Sequence, residues 1–236
     1  MPASCQYPRS NLLRGGEFQG SACAMKSFEQ LVEGYGRFRE GDWRKQHARW
    51  EQLKEGQSPK VMVIACSDSR VDPAQIFDVD PGEIFVVRNV AALVPPYETT
   101  PGRHGVSAAL EFAVQFLKVE EVVVMGHGMC GGCQAALSQE LSGNDLGEGG
   151  FVAHWVDMLD AVREPIAASL GTNGREAERA MELAAVKVSL ANLRTFPYVA
   201  EKVAAGQLTL RGAYFAISDG ILHLLDESTG EFAAAG

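Results

Sequence analysis

Three short, continuous runs of apolar residues constrain the fold of this chain more than any other feature. They occupy residues 60–66, 84–88 and 121–126, and the first reads KVMVIAC. Runs of this length without polar alternation are typical of strands that are buried on both faces of a sheet. Residues 104–117 show helical spacing of apolar side chains, and this strand–helix–strand order with short links predicts a parallel sheet covered by helices.

Patterns elsewhere in the sequence predict α/β structure over most of the chain. Helical spacing predicts helices at residues 28–39 and 43–53 before the first strand, and at residues 151–170 and 175–194 after the third. Residues 208–217 and 221–225, separated by Ser-Asp-Gly, predict a closing hairpin at the sheet edge. We expect one α/β domain at residues 25–236 and a flexible tail at residues 1–24.

Composition and charge exclude several classes of function. The formal net charge of −9 argues against a nucleic-acid-binding protein and gives no attraction to anionic membranes. No apolar run approaches the roughly 18 residues that a membrane span requires, and the N-terminus lacks a signal-peptide pattern. Three of the five cysteines lie at the ends of apolar runs. This placement favours functional thiols in a reducing cytoplasm.

Two motifs that follow predicted strands carry the candidate chemistry. Cys66 begins CSDSR after the first strand, and His127 begins HGMC, which ends at Cys130, after the third. Ligands in parallel α/β sheets bind outside the carboxyl ends of the strands. Zinc binds cysteine sulfur and histidine nitrogen, and three protein ligands with one open position are typical of a catalytic site. We therefore predict zinc ligation by Cys66, His127 and Cys130.

Asp68 and Arg70 lie two and four residues after the first of these ligands. Zinc lowers the pKa of bound water to about 7, which supplies hydroxide near neutral pH. Two thiolates weaken this effect because they neutralise the charge of the metal, so a nearby carboxylate acceptor becomes important. Arg70 is able to hold Asp68 ionised and oriented, and to keep it from the open zinc position.

The same residues are also compatible with a structural metal site, a redox site or a structural ion pair. Cys133 is available as a fourth ligand, which would make the zinc site closed and structural. Cys130 and Cys133 also form a CxxC pair, which is typical of thiol redox chemistry. Asp68 and Arg70 are alternatively a purely structural ion pair.

Three ordered motifs give the chain a specific resemblance to the β-class carbonic anhydrases. They are CSDSR followed by VDP, PGEIFVVRNVAALVPPY at residues 81–97, and GHGMCGG at residues 126–132. The similarity runs from about residue 27 to about residue 232. The resemblance implies a lyase that hydrates carbon dioxide reversibly to bicarbonate. It also implies one zinc ion per chain on Cys66, His127 and Cys130, with Asp68 and Arg70 as the catalytic pair.

The resemblance also implies an architecture and an assembly. We expect four parallel strands with one added edge strand. We expect a homodimer or a higher even-numbered oligomer, in which the N-terminal helices pack on the partner. Two alternatives share these motifs: a related enzyme that cleaves carbon disulfide or carbonyl sulfide, and a non-catalytic zinc or redox protein that uses Cys133.

The substrate pocket follows from the same resemblance. Gln57 matches the plant-like branch, in which this side chain binds substrate across the dimer interface. The apolar walls for carbon dioxide are expected from Phe85, Val90 and Phe112, and a backbone N–H donor is expected from Gly131. Phe112 departs from the family because the plant-like branch often has tyrosine there, and Met129 and Cys133 replace residues that are usually small or polar.

Overall fold

The three apolar runs form neighbouring strands of one sheet in the computed structural model, which describes residues 26–236. The six strands are β1 (Val61–Cys66), β2 (Ile84–Asn89), β3 (Glu121–His127), β4 (Thr209–Ala216), β5 (Ile221–Asp226) and β6 (Glu231–Ala234). The strand order is β2-β1-β3-β4-β5-β6, with parallel pairing from β2 through β4 and antiparallel pairing of β4 with β5 and of β5 with β6. The predicted four-stranded parallel core is confirmed.

The antiparallel edge contains two strands where the sequence predicts one. The expected hairpin forms β4 and β5, and β6 then pairs with β5 from Asp226↔Glu231 to His223↔Ala234. β6 has four residues, of which only Phe232 is partly buried. A strand this short offers too little alternation of apolar and polar residues to be recognised from sequence.

Helices connect and flank these strands within residues 26–236. They are α1 (Phe28–Glu40), α2 (Asp42–Lys45), α3 (His47–Leu53), α4 (Pro73–Ile76), α5 (Gly105–Glu111), α6 (Gly131–Ser138), α7 (Gly150–Val156), α8 (Asp160–Leu170), α9 (Arg175–Leu193) and α10 (Pro197–Ala204). The helix predicted at residues 151–170 is interrupted by a 3-10 turn at Asp157–Leu159. The helix predicted at residues 104–117 continues from α5 as a π-helix over Phe112–Leu117.

Alternate residues of β1 and β3 fill apolar clusters on opposite faces of the sheet. Met62, Ile64, Val122 and Val124 pack in one cluster, together with residues of α9 and α10. Val63, Ala65 and Met125 pack on the other side. Burial on both faces is the property that the continuous apolar runs predict. It anchors the carboxyl ends of the two strands, where the candidate site residues begin.

The chain divides into two units, residues 1–56 and residues 57–236, and the sheet belongs entirely to the second. The described part of the first unit, residues 26–56, contains α1, α2 and α3. α1 begins at a capping box in which Ser27 and Gln30 exchange hydrogen bonds. The predicted packing of these helices on a partner stays a prediction, and the predicted tail at residues 1–24 lies outside the described residues.

Within residues 26–236, no helix is both long and apolar enough to cross a membrane.

Candidate metal centre

The ends of two neighbouring parallel strands bring the predicted ligands together. Cys66 is the last residue of β1 and His127 the last of β3, and these strands pair in parallel up to Ala65↔Met125. Cys130 follows in the short loop before α6. The ligand atoms of all three residues lie within 4.8 Å of one another, and all three side chains are buried. The two sulfur atoms are 4.0 Å apart.

The ring of His127 has one satisfied and one unsatisfied nitrogen. Its Nδ1 lies 2.9 Å from the carbonyl oxygen of Gly128, and because a carbonyl only accepts, Nδ1 must carry the proton. In the neutral ring this leaves Nε2 as the nitrogen with the free lone pair, and Nε2 is buried without a hydrogen-bond partner among the described residues. A hydrogen bond to a backbone carbonyl that fixes the tautomer in this way is typical of a histidine that ligates a metal. The donor set fits zinc.

Hydrogen bonding and burial also raise the pKa values of the two candidate ligand thiols. A hydrogen bond with Cys130, together with burial, raises the pKa of the Cys66 thiol to about 12. A hydrogen bond with Cys133, together with burial, raises the pKa of Cys130. Both sulfurs are therefore protonated at neutral pH in the metal-free protein. Zinc binds thiolate sulfur, so binding at this site must displace both protons.

Asp68 and Arg70 form a tight pair at the edge of the ligand group. Arg70 Nε lies 2.8 Å from Asp68 Oδ1 and Nη2 lies 2.6 Å from Oδ2. This hydrogen bonding holds the pKa of Asp68 at about 2, against the opposing effect of burial. Asp68 Oδ2 also lies 4.0 Å from His127 Nε2. The site therefore presents an ionised carboxylate beside the unsatisfied imidazole nitrogen.

Arg88 supports the loop that follows β1, and sequence reasoning did not identify it. Its Nε donates to the carbonyl of Cys66 at 2.8 Å, and its Nη2 donates to the carbonyls of Asp68 and Val71 at 2.6 and 3.1 Å. Arg88 pairs with Ala65 in the register of β2 and β1, one position before the ligand. A charged residue at the end of the apolar run IFVVR is the signal that points to it.

Glu182 is a second residue that sequence reasoning missed. It lies on α9 with 2% of its surface exposed. One carboxylate oxygen accepts from the backbone N–H of Cys130 at 3.1 Å, and the other accepts from the hydroxyl of Tyr214 at 2.8 Å. Burial raises the pKa of Glu182, while both of these donors lower it. Nothing in the local pattern of α9 distinguishes this glutamate from an exposed one.

The predicted pocket residues fall into separate groups. The rings of Phe85 and Phe112 lie 5.9 Å apart between centroids, and Phe112 is 44% exposed. Val90 packs against the start of α6, because a Cβ added at Gly132 would lie 2.6 Å from its Cγ1. Gly131 is the first residue of α6, and Gln57 is exposed and precedes β1. The predicted contact of Gln57 across a dimer interface stays a prediction.

Cys133 lies in α6, buried in an apolar cluster that also contains Leu137. It is a free thiol, as are Cys66 and Cys130. The group of ligand atoms contains Cys66, His127 and Cys130 and leaves Cys133 out. This arrangement favours three protein ligands with an open position over a closed site with four.

Comparisons with known proteins identify what this chain is similar to. The protein-family model described as carbonic anhydrase matches residues 61–222. The chain is 35% identical over 193 residues to beta carbonic anhydrase 5, chloroplastic, of Arabidopsis thaliana. That alignment covers 81% of this chain and 62% of the relative, so the chain spans less than two thirds of the relative's length.

Solved structures show the same similarity. The β-carbonic anhydrase CcaA superposes with a TM-score of 0.80 at 30% identity, covering 88% of this chain and 92% of that one. A tetrameric β-carbonic anhydrase from the filamentous ascomycete Sordaria macrospora superposes with a TM-score of 0.73 at 27% identity. This second superposition covers 89% of this chain and 98% of the other.

Proposed function

The chain belongs to the β-class carbonic anhydrase family, and from this premise we propose that it hydrates carbon dioxide reversibly to bicarbonate and a proton, using one zinc ion per chain. The observation that carries the proposal is the unsatisfied, buried Nε2 of His127, in a group whose three ligand atoms, including two thiol sulfurs, lie within 4.8 Å of one another. An unpaired buried polar atom is costly, and a metal ion would relieve that cost.

The residues of the site have distinct roles in this proposal. Cys66, His127 and Cys130 would hold the zinc ion, which would supply a Lewis acid that lowers the pKa of water to about 7. Asp68 accepts a hydrogen bond from the attacking water and so orients its lone pair toward the substrate. Arg70 keeps Asp68 ionised and holds both carboxylate oxygens, which keeps Asp68 from occupying the open position.

The substrate requires a pocket of mixed character. Carbon dioxide has neither charge nor dipole, so the apolar side chains of Phe85, Val90 and Phe112 suit it. The bicarbonate that forms needs hydrogen-bond donors. Gly131 opens α6, and the first N–H groups of a helix have no partner within that helix, which supports a backbone donor at this residue.

Assembly with further copies of the chain is part of the proposal. Gln57 is assigned to the substrate site of a partner subunit, in a homodimer or a higher even-numbered oligomer. The tetrameric relative from Sordaria macrospora supports self-association. The predicted location is the cytoplasm, because free thiols at the site are best maintained in a reducing compartment.

Stopped-flow measurement of carbon dioxide hydration, with zinc content determined on the same sample, tests the proposal. We expect fast hydration with one zinc per chain, and a loss of about 100-fold in Asp68→Asn, the order of loss that misplacement of a reacting group causes. Asp226→Asn is the matched control, because Asp226 ends β5 away from the strand ends that carry the site, and asparagine is able to accept the same hydrogen bond from the N–H of Ser228. Bound zinc without hydration at neutral or alkaline pH would overturn the proposed activity.

A further inference from the structure

The peptide unit between Met129 and Cys130 is hydrogen-bonded at both of its polar groups by charged side chains. Its carbonyl oxygen accepts from Arg70 Nη2 at 2.9 Å. Its N–H donates to Glu182 Oε1 at 3.1 Å. One face of this peptide therefore meets the guanidinium that holds Asp68, and the opposite side meets a carboxylate from α9.

The backbone at this peptide needs external support. Met129 has a φ of +57°, in the left-handed region that residues other than glycine rarely adopt. Such a conformation persists only when surrounding contacts hold it. The two charge-assisted hydrogen bonds to the Met129–Cys130 peptide are contacts of that kind.

The carboxylate of Glu182 is itself held in place. Its second oxygen accepts from the hydroxyl of Tyr214 at 2.8 Å, and Tyr214 is 1% exposed on β4. The Tyr214 hydroxyl also packs closely on residues 128–130, the metal loop between β3 and α6, because a Cβ added at Gly128 would lie 3.0 Å from it. A carboxylate is a costly group to bury unless each oxygen is paired. Both oxygens of Glu182 are paired here, so its position is strongly determined.

Building on the proposed zinc site, we propose that Glu182 is a positioning residue for the metal centre. It orients the Met129–Cys130 peptide, and through that peptide it sets two things at once. One is the direction of the Cys130 sulfur toward the metal. The other is the place of Arg70, and hence of the Asp68 carboxylate. Tyr214 acts one step further back by fixing Glu182.

Cobalt substitution makes this proposal testable without activity. The visible and near-ultraviolet bands of cobalt report the geometry of its thiolate ligands, and chelator competition reports zinc affinity. We expect Glu182→Met, which keeps the side-chain volume but removes both acceptors, to shift the cobalt bands and weaken zinc binding about tenfold to 100-fold. Glu182→Gln keeps an oxygen for the Cys130 N–H and an amide for Tyr214, so it should restore both properties.

Ser189→Ala is the matched control on the same helix. Ser189 is also buried, and it hydrogen-bonds the backbone of Ala92 and Val94 rather than the metal loop. It should lower the free energy of unfolding and leave the cobalt bands and zinc affinity unchanged. Wild-type bands and affinity in a folded Glu182→Met would overturn the proposal.

Two further measurements cover the remaining outcomes. Should Glu182→Met fail to fold, Tyr214→Phe decides, because it removes the donor to Oε2 and leaves the carboxylate free to turn away from the Cys130 N–H, which donates to Oε1. Shifted bands would support the proposal, and unchanged bands and affinity would overturn it. Measurements on the wild-type protein distinguish a failure of the proposed zinc site from a failure of the positioning role alone. If wild type binds no cobalt or zinc, the proposed function fails with the inference. If it binds zinc and hydrates carbon dioxide while the Glu182 variants match it, only the positioning role fails.

Discussion

Arg70 binds the Asp68 carboxylate through a fork of two nitrogens, Nε to Oδ1 at 2.8 Å and Nη2 to Oδ2 at 2.6 Å. The backbone N–H of Arg70 adds a third bond, to Oδ1 at 2.9 Å. Because the two residues are only two positions apart, this geometry is built into one tight turn after β1. It holds the pKa of Asp68 at about 2, so the carboxylate is an acceptor at every physiological pH.

Replacing Arg70 by lysine should separate charge from geometry. A lysine is a point charge and cannot reproduce the two-nitrogen fork. We expect Arg70→Lys to keep its zinc and to lose hydration activity by about tenfold to 100-fold, the usual cost of removing a group that orients a site residue. Stopped-flow kinetics and metal analysis measure the two effects. Arg194→Lys, which alters an arginine pair with Glu227, should keep full activity, and an equal loss there would refute the assignment.

Zinc binding to the metal-free protein should release about two protons, one from each thiol. The pKa of Cys66 is raised to about 12 and that of Cys130 is also raised. Both thiols therefore keep their protons at neutral pH until the metal displaces them, and zinc affinity should rise with pH. Titration with zinc in weak buffer containing an indicator dye measures the release. Cys133→Ser should release the same number, and a value near zero in wild type would show that other groups bind the metal.

The close approach of Gly132 to the side chains of Val90 and Ala91 should make Gly132→Ala destabilising. An added Cβ would lie 2.6 Å from Val90 Cγ1 and 3.1 Å from the Cβ of Ala91. Overpacking of this kind typically costs about 1 to 3 kcal/mol. Gly105→Ala is the control, because a Cβ there meets nothing within 4 Å and Gly105 begins α5. Urea unfolding of both variants measures the difference, and equal stabilities would contradict the packing described.

An exposed apolar face on α1 should contribute to self-association. Five large apolar side chains of this helix are at least about a third exposed: Phe28, Leu31, Val32, Tyr35 and Phe38. Their spacing puts them on one side of the helix. We expect Leu31→Glu to lower the mass measured by light scattering relative to wild type. Glu33→Lys is the control, because it changes a charge away from that face and should not alter the mass. A monomeric mass for the wild-type protein would exclude the predicted oligomer.

Several features of the fold were predictable because they depend on local patterns. Burial on both faces leaves a continuous apolar run, and this identified β1, β2 and β3. The parallel order of neighbouring strands then placed Cys66 and His127 at one edge of the sheet. The break in the helix at Asp157–Leu159 and the short strand β6 leave weaker patterns, and both were missed.

The sequence by itself determined the buried strands β1, β2 and β3, the candidate ligand residues at their ends and the Asp68–Arg70 pair, because each leaves a pattern within a short stretch of the chain. The tertiary structure alone decided what holds these residues in place. Glu182 meets the N–H of Cys130 across 52 residues of chain, and Arg88 meets the carbonyl of Cys66 across 22. Local periodicity carries no information about such contacts, because they form only when separate elements pack together and bury polar groups that must then find partners.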